Sequence, residues 1–176
     1  MTGKMRLLFE IDTKDYDING TAFVRHSARC INIKNGKVAM VHSLKYDYYK
    51  FPGGGIEKGE SKEEAVIRET REEAGLIVIP ESVREFGYVH RIQKSEYPDT
   101  DHFIQDNFYY LCDVEERIEL QNLDDYESDE KFTLEYVKPD RAVFVNRNTD
   151  HGTKDRNMLE REARVLEILK AEGHFG

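Results

Sequence analysis

The stretch GGGIEKGESKEEAVIRETREEAGL, residues 53–76, joins three consecutive glycines to a strongly charged segment that closes on Gly75. Ser61 can cap the N-terminus of a helix, and Glu64, three residues later, completes a capping-box pattern. Gly75 follows the last helical position, where a left-handed cap favours glycine. These signals together predict a helix over residues 61–74.

Three glutamates share one face of this predicted helix. Glu69, Glu72 and Glu73 are separated by three and four residues, a spacing that places them on one narrow stripe. Val66 and Thr70 fall on another face, which can pack inward. Like charges on one stripe repel one another. The glutamates are therefore either a solvated surface, relieved by basic neighbours, or a set of ligands for a cation.

The glycines upstream favour the second interpretation. Gly53, Gly54 and Gly55 lack side chains, so their backbone can approach a phosphate group or present carbonyl groups. A hard cation such as Mg²⁺ prefers oxygen ligands, usually one or two carboxylates together with substrate phosphates and water. A solvated surface helix would require neither the glycines nor their fixed separation from the glutamates. The sequence therefore predicts a combined metal and phosphate site.

The fixed positions of this stretch resemble the signature of the Nudix hydrolases, G-x5-E-x7-R-E-U-x-E-E-x-G-U, in which U is a bulky apolar residue. The matching residues are Gly54, Glu60, Arg68, Glu69, Glu72, Glu73, Gly75 and Leu76. Thr70 is the single departure, because an aliphatic residue is usual there. Since that position faces the predicted core, the change concerns packing rather than chemistry. The match is specific because many positions must agree together.

The resemblance implies an α/β class of fold, a Nudix-type α/β/α sandwich with a mixed sheet. It also implies hydrolysis of a diphosphate linked to another moiety, with Mg²⁺ as cofactor and Mn²⁺ as a possible substitute. By this resemblance Glu72 and Glu73 are the principal metal ligands, and Glu69 is a further ligand or a base that orients water. The Gly53 carbonyl is an additional candidate ligand.

Two further pairs of residues have more than one interpretation. By the resemblance, Arg68 and Glu60 either form an ion pair that fixes the loop to the helix or act directly in catalysis. Family members often recruit another carboxylate from outside the signature, whose positions 54–76 are called the box below, and the tract at residues 124–131 offers Glu127 and Glu130. The alternative for this tract is a solvated acidic loop.

Candidates for substrate binding lie around the glycines, which can themselves contact phosphate. Tyr48, just before the glycine loop, could stack on a nucleotide base or could belong to the core. His90 and Arg91 on a later strand could contact a phosphate, or one of them could be a cross-strand polar partner. Nucleoside triphosphates, nucleotide sugars and similar compounds all remain open as substrates.

Two other classes of function are alternatives to a hydrolase. A catalytically silent module could sense a nucleotide without cleaving it, but such modules are expected to lose carboxylates that this sequence keeps. The acidic helix could also be a structural surface, which leaves the glycine loop and Glu60 unexplained. A small nucleotide derivative hydrolysed by attack of water at phosphorus is the interpretation that accounts for all these residues.

Composition limits the possible partners. A net charge of −9 and a pI near 5.2 oppose binding to a nucleic-acid polymer, although a bound cation would still allow a small phosphorylated ligand. The sequence predicts no membrane segment and no secretory signal, and hence a cytoplasmic protein. Cys30 and Cys112 are expected to be reduced thiols in the core. Both a monomer and a homodimer are compatible with the sequence.

The remaining segments predict one domain over residues 1–176, since no linker-like run divides the chain. A hairpin is predicted from residues 21–33 and 37–44, and the C-terminal helix is predicted to bury a face with Leu159 and Leu166. The other predicted strands are 5–11, 76–80, 83–94, 102–114 and 134–137, and the other predicted helices are 139–147 and 156–173.

Overall fold

A computed structural model describes residues 4–176. The prediction of one domain over 1–176 therefore includes three residues outside the described part, and it stays a prediction. The strands are β1 (Leu7–Asp12), β2 (Ala22–Val24), β3 (Ser27–Ile31), β4 (Ile33–Lys34), β5 (Lys37–Ser43), β6 (Tyr48–Lys50), β7 (Gly53–Gly55), β8 (Leu76–Val78), β9 (Arg84–Lys94), β10 (His102–Leu111), β11 (Val114–Ile118) and β12 (Phe132–Val137). The helices are α1 (Lys62–Ala74), α2 (Asp125–Asp129), α3 (Pro139–Asn148) and α4 (Arg156–Ala171).

Helix α1 forms where its capping residues predict it. The Ser61 side chain accepts a hydrogen bond from the Glu64 backbone, and the Glu64 side chain accepts one from the Ser61 backbone. At the other end Gly75 adopts φ 72°, and its N–H donates to the Arg71 carbonyl. The predicted helix over 61–74 is thus confirmed, with Ser61 as the cap rather than the first turn.

The larger sheet is mixed and has the strand order β1-β9-β10-β3-β7, with β2 also pairing along β10. Strand β10 is antiparallel to β9 and parallel to β3, and β3 is antiparallel to the glycine strand β7. Helix α1 packs against β3 and β7. This arrangement brings the glycines and the glutamate-bearing helix together across the sheet surface.

The predicted hairpin of residues 21–33 with 37–44 is wrong over most of its length. Of the first predicted strand, residues 21–33, only its end pairs with β5, where β4 places Ile33 opposite Val38 and Lys34 opposite Lys37. Strand β3 instead enters the larger sheet, while β5 pairs with β12 and β6 in a second sheet. All five residues of β3 are buried, so this strand requires neighbours on both sides and on both faces.

Helices cover the sheets from two sides and give the α/β/α sandwich expected from the family resemblance. Helix α1 closes one core, whereas α3 and α4 pack on each other and on β6 over a second core. In α4, Leu159 and Leu166 are buried as predicted. Cys30 and Cys112 are buried free thiols, in agreement with the prediction of core cysteines.

The segment between β11 and β12 is not the solvated acidic loop that was one of the two interpretations of its sequence. A solvated loop is compatible with the sequence of residues 124–131, but this tract contains helix α2 instead. Asp124 caps this helix and forms a capping box with Glu127. Because α2 is anchored in this way, it directs Glu127 inward rather than toward solvent, and Glu130, at the C-cap of the helix, is buried as well.

Candidate active site

The glycines of β7 allow α1 to approach the sheet closely. A Cβ atom on Gly54 would lie 2.5 Å from the Glu69 carboxylate, and one on Gly53 would lie 2.2 Å from the Ala28 carbonyl oxygen. Gly53 also has φ +155°, which side chains rarely adopt. Glycine is therefore required at position 53 by the close pairing of β7 with β3, whereas a side chain at position 54 would displace the Glu69 carboxylate, which lies directly over β7.

Arg68 binds the loop and the helix to each other. Its Nε and Nη2 donate to the two carboxylate oxygens of Glu60 at 2.7 and 2.9 Å, and Nη2 also donates to the Gly55 carbonyl at 3.1 Å. Nη1 donates to Glu69 at 2.9 Å and to Glu72 at 3.1 Å. The hydrogen bond from Arg68 lowers the pKa of the Glu60 carboxyl. This geometry corresponds to the ion-pair interpretation of Arg68 and Glu60.

Glu73 occupies a different environment from the other two glutamates of the stripe. Its side chain is 1% exposed, and its carboxylate accepts hydrogen bonds from Lys50 Nζ at 3.0 Å and from the Gly53 N–H at 3.3 Å. The Glu72 side chain is 38% exposed. The helix spacing therefore places these carboxylates near one another, but only Glu73 is sealed against β6 and β7.

Helix α2 adds a carboxylate from outside the box. Glu127 is buried, and its burial, followed by its hydrogen bond with Glu73, raises the pKa of the Glu127 carboxyl to about 7. Glu130 is also buried but is bound elsewhere: it accepts from the Tyr48 hydroxyl at 3.0 Å and pairs with Lys154. The structure thus brings Glu127 to the box carboxylates and holds Glu130 apart.

These side chains fit a divalent cation by donor type. Glu69, Glu73 and Glu127 offer carboxylate oxygens, which Mg²⁺ prefers. Burial is the main cause that raises the pKa of the Glu69 carboxyl, as it is for Glu127. Within residues 4–176, no three acidic, histidine or cysteine side chains converge on one point. Arg68 and Lys50 supply the positive charge beside the carboxylates.

A cavity of about 290 Å³ adjoins Lys50, between β3, β9, β10 and α4. Its lining includes the predicted residues Tyr48 and Arg91 together with two basic residues of distant segments, Arg29 and Arg161. A larger cavity of about 760 Å³ shares Lys154 with it and leads to the surface. The basic cavity is thus reached from outside and ends beside the ion pair of Glu73.

The structure separates the neighbouring residues His90 and Arg91. Successive side chains of a strand point to opposite faces of the sheet. His90 Nδ1 lies 2.6 Å from an Asp106 carboxylate oxygen, whereas Arg91 faces the basic cavity and pairs with Asp155. The two residues therefore do not form one phosphate contact, and the cross-strand interpretation describes His90.

Tyr48 is part of the core rather than an open stacking surface. It is 1% exposed and meets Phe132 edge to face at 6.4 Å between ring centroids. A stack of rings that sequence analysis missed lies farther along the sheet, where Phe23 and Tyr97 are 4.1 Å apart and Phe103 lies beside them. Tyr97 and Phe103 line the basic cavity.

Sequence analysis also missed Lys50, Arg29 and Arg161. Arg29 lies inside a run of strand-forming residues, and Arg161 lies on the helix whose apolar spacing predicts only a core face. A charged residue inside an apolar run is a signal of a buried site, but the sequence gives no partner for it. Pairing of β3 with β10 and packing of α4 on the sheets bring these residues together.

Comparison with known proteins agrees with the fold and the box. The NUDIX domain profile matches residues 24–161. An RNA pyrophosphohydrolase of a Nitratiruptor species is 32% identical over 135 residues, which cover 73% of this chain and 78% of that protein. An RNA pyrophosphohydrolase of Acinetobacter baylyi is 44% identical over 50 residues, 28% of this chain and 29% of that protein. The solution structure of the E. coli ORF135 protein superposes with a TM-score of 0.53 at 18% identity, covering 85% of this chain and 93% of that chain.

The chain belongs to the Nudix hydrolase family and is a Nudix pyrophosphohydrolase. The reaction class of this family, hydrolysis of a pyrophosphate bond in a nucleotide-type substrate, agrees with neighbouring carboxylates, those of Glu73 and Glu127, beside a basic cavity. In the part of the chain that the structure describes, each helix is too short or too polar to cross a bilayer.

Proposed function

We propose that this enzyme catalyses Mg²⁺-dependent hydrolysis of the diphosphate linkage in a small nucleoside diphosphate derivative, by attack of water at phosphorus. Nucleoside triphosphates and nucleotide sugars are the candidate substrates. The observation that carries this proposal is the placement of buried carboxylates, Glu73 and Glu127, next to a basic cavity that reaches the surface. Anionic substrate and cation would meet at the boundary between them.

Residues of this chain have separate tasks in this proposal. Glu69, Glu72, Glu73 and Glu127 would hold Mg²⁺, or Mn²⁺ in its place. When bound, the cation supplies charge neutralisation for the diphosphate and activation of water. Arg68 keeps Glu69 and Glu72 oriented through two hydrogen bonds from its Nη1. Little covalent chemistry is left for the protein, so positioning and electrostatics dominate catalysis.

The cavities support a small substrate over an RNA chain. The similarity to RNA pyrophosphohydrolases makes a 5′-phosphorylated RNA end the second candidate. However, the outer cavity has Asp15, Glu96, Asp129 and Asp155 in its lining, and the whole chain carries a net charge of −9. Acidic surface repels a phosphate backbone, so a long RNA gains little beyond its terminal phosphates.

Release of phosphate-bearing products, such as nucleoside monophosphates, from a substrate panel tests the proposal. The panel contains nucleoside triphosphates, ADP-ribose, dinucleoside polyphosphates, nucleotide sugars and a 5′-triphosphorylated RNA oligonucleotide, each assayed with Mg²⁺ and with EDTA. We expect metal-dependent turnover of one small-molecule class, which Glu72→Gln lowers by roughly two or more orders of magnitude. Faster turnover of the RNA oligonucleotide than of every small molecule would contradict the proposed substrate class.

A catalytically silent nucleotide sensor is the alternative outcome of the same experiment. It would bind one compound of the panel tightly and release no product from any of them. The intact set of box carboxylates, with Glu73 buried and fixed by two hydrogen bonds, supports the enzyme over the sensor. The cytoplasmic location and the choice between monomer and homodimer stay predictions.

A further inference from the structure

The basic cavity beside Lys50 has a charge that the carboxylate site does not explain. Its lining contains five cationic side chains and only two carboxylates, those of Glu96 and Asp155. The cations are Arg29, Lys50, Arg91, Lys154 and Arg161. We call this cavity the arginine chamber. It lies on the face of β3 opposite Ala28, which packs in the core under α1.

The three arginines of the chamber are buried, and two of them, Arg29 and Arg161, are incompletely paired. Arg29, Arg91 and Arg161 are each more than nine-tenths buried. In the described part of the chain, Arg29 donates to two neutral acceptors, the Asn107 side-chain oxygen at 3.4 Å and the Phe51 carbonyl at 3.2 Å. Arg161 pairs with Glu162, but its Nε has no hydrogen-bond partner within residues 4–176. The chamber therefore keeps donor capacity that the protein itself does not use.

The positive charges of the chamber also favour an anionic ligand. Burial, followed by the positive charges of Arg161 and Arg29, lowers the pKa of the Arg91 guanidinium to about 9. Asp155 and Glu162 offset part of this positive charge, and an added anion would lower the repulsion that is left. Arginine is well suited to phosphate because its planar fork donates two hydrogen bonds to adjacent oxygens. A carboxylate ligand would satisfy fewer of these donors than a phosphate chain.

We propose that the arginine chamber binds a phosphate group of the substrate, and thereby selects substrates whose phosphate chain extends beyond the cleaved linkage. Lys50 lies at the boundary, because it lines the chamber and also donates to Glu73. A substrate whose phosphate chain extends past Lys50 can place one phosphate beside the carboxylates and another in the arginine chamber. Selection among substrates rests on the proposed function, whereas phosphate binding by the chamber does not. Nucleoside triphosphates are then favoured over nucleotide sugars, whose distal group is neutral.

Calorimetric titration with inorganic tripolyphosphate in EDTA tests the chamber without the metal site. We expect wild-type protein to bind this anion, and Arg29→Gln and Arg91→Gln each to weaken binding by about tenfold or more, because each removes charge-assisted hydrogen bonds. Arg117→Gln is the matched control, since it removes one positive charge from an exposed strand position. Absent binding by the wild type, or equal weakening in the control, would overturn the proposal.

Two measurements keep the result independent of folding and of activity. Thermal unfolding verifies each variant, and Arg29→Lys replaces any unfolded Arg29→Gln because it keeps the charge and removes the fork. Protection of Arg29 or Arg91 from phenylglyoxal by tripolyphosphate, read by peptide mass, tests the wild type directly; unprotected arginines would contradict the chamber. If the wild type bound tripolyphosphate but hydrolysed no compound of the substrate panel, the proposed function would be refuted and phosphate binding by the chamber would stand. If the Arg91→Gln variant preferred triphosphates over nucleotide sugars as strongly as the wild type does, the proposal that the chamber selects substrates would be refuted.

Discussion

At the scale of single residues, Glu72 and Glu73 show how surroundings divide two identical side chains. Glu72 is 38% exposed and shares Arg68 with Glu60 and Glu69. Glu73 is 1% exposed and pairs with Lys50, which is itself 8% exposed. Removal of one partner of a buried pair leaves the other charge uncompensated. The two positions are therefore expected to differ in stability even though both contribute carboxylates.

Glu73→Gln should lower the free energy of unfolding by roughly 3–5 kcal/mol, because the Lys50 ammonium loses its counter-charge. Glu72→Gln should change it by less than about 1 kcal/mol, as is usual for exposed pairs. Urea unfolding at pH 7 measures both. Lys50→Met combined with Glu73→Gln should recover most of the loss. A Glu73→Gln protein as stable as the wild type would show that the buried pair is not formed.

Gly54→Ala should strongly reduce activity while preserving the fold. The new Cβ would meet the end of the Glu69 side chain, which can move aside, so the carboxylate is displaced rather than the backbone. We expect kcat to fall by roughly a hundredfold, as for other misplacements of reacting groups. Gly59→Ala is the control, because its new Cβ would have no atom within 4 Å. Its φ of +81° strains any residue other than glycine. That variant should lose stability and keep its turnover per folded molecule.

At the scale of elements, helix α2 determines whether Glu127 joins the site. Asp124 accepts from the Glu127 N–H at 3.0 Å, and the Glu127 carboxylate accepts from the Asp124 N–H at 3.0 Å. The capping box thus uses the same carboxyl group that lies beside Glu73. A change in the cap is expected to act on the position of Glu127 before it acts on global stability.

Asp124→Ala should reduce kcat by roughly ten- to hundredfold, because Glu127 loses the hydrogen bond that orients its helix. Asp124→Asn should retain most activity, since asparagine caps helices about as well as aspartate. Steady-state hydrolysis of the best substrate with Mg²⁺ compares the two variants. If the alanine variant matched the asparagine variant, α2 would have no part in catalysis.

At the scale of the whole molecule, the pair of Arg161 and Glu162 connects α4 to the larger sheet. Glu162 is fully buried, and its carboxylate accepts from the Tyr109 hydroxyl at 2.7 Å and from Arg161 at 3.2 Å. Burial alone would raise the pKa of the Glu162 carboxyl, but the charges of Arg161 and Arg29 and the hydrogen bonds together lower it. The carboxylate form is therefore favoured by folding.

A low pH should remove the stabilisation that the Glu162 carboxylate gives to the folded protein. A group whose pKa is lowered in the folded state stabilises the protein above its unfolded pKa, near 4.5 for glutamate, and the gain is lost as pH falls below that value. We expect the difference in free energy of unfolding between wild type and Glu162→Gln to be constant from about pH 7 to 5 and to shrink below about 4.5. Urea unfolding at several pH values measures this difference. A difference that does not depend on pH would contradict the prediction.

The sequence predicts correctly those features that depend on residues close together in the chain. Helix α1 follows from Ser61, Glu64 and Gly75, whose roles depend only on neighbours within one turn. The predicted hairpin of residues 21–33 with 37–44 is wrong because a strand pattern does not contain the identity of its partner. Strand β3 pairs with β10, which lies about 80 residues away in the chain, and this pairing is decided by burial on both faces.

The sequence by itself determined the family box, the caps of its helix and the apolar face of α4, because short-range spacing and helical periodicity fix them. Only the tertiary structure decided which charges become buried and with which partners. Lys50 meets Glu73, and Arg29, Arg91 and Arg161 meet one another, through packing of strands and helices that are distant in the chain. Burial and Coulomb energy depend on distance in space, so sequence spacing cannot specify them.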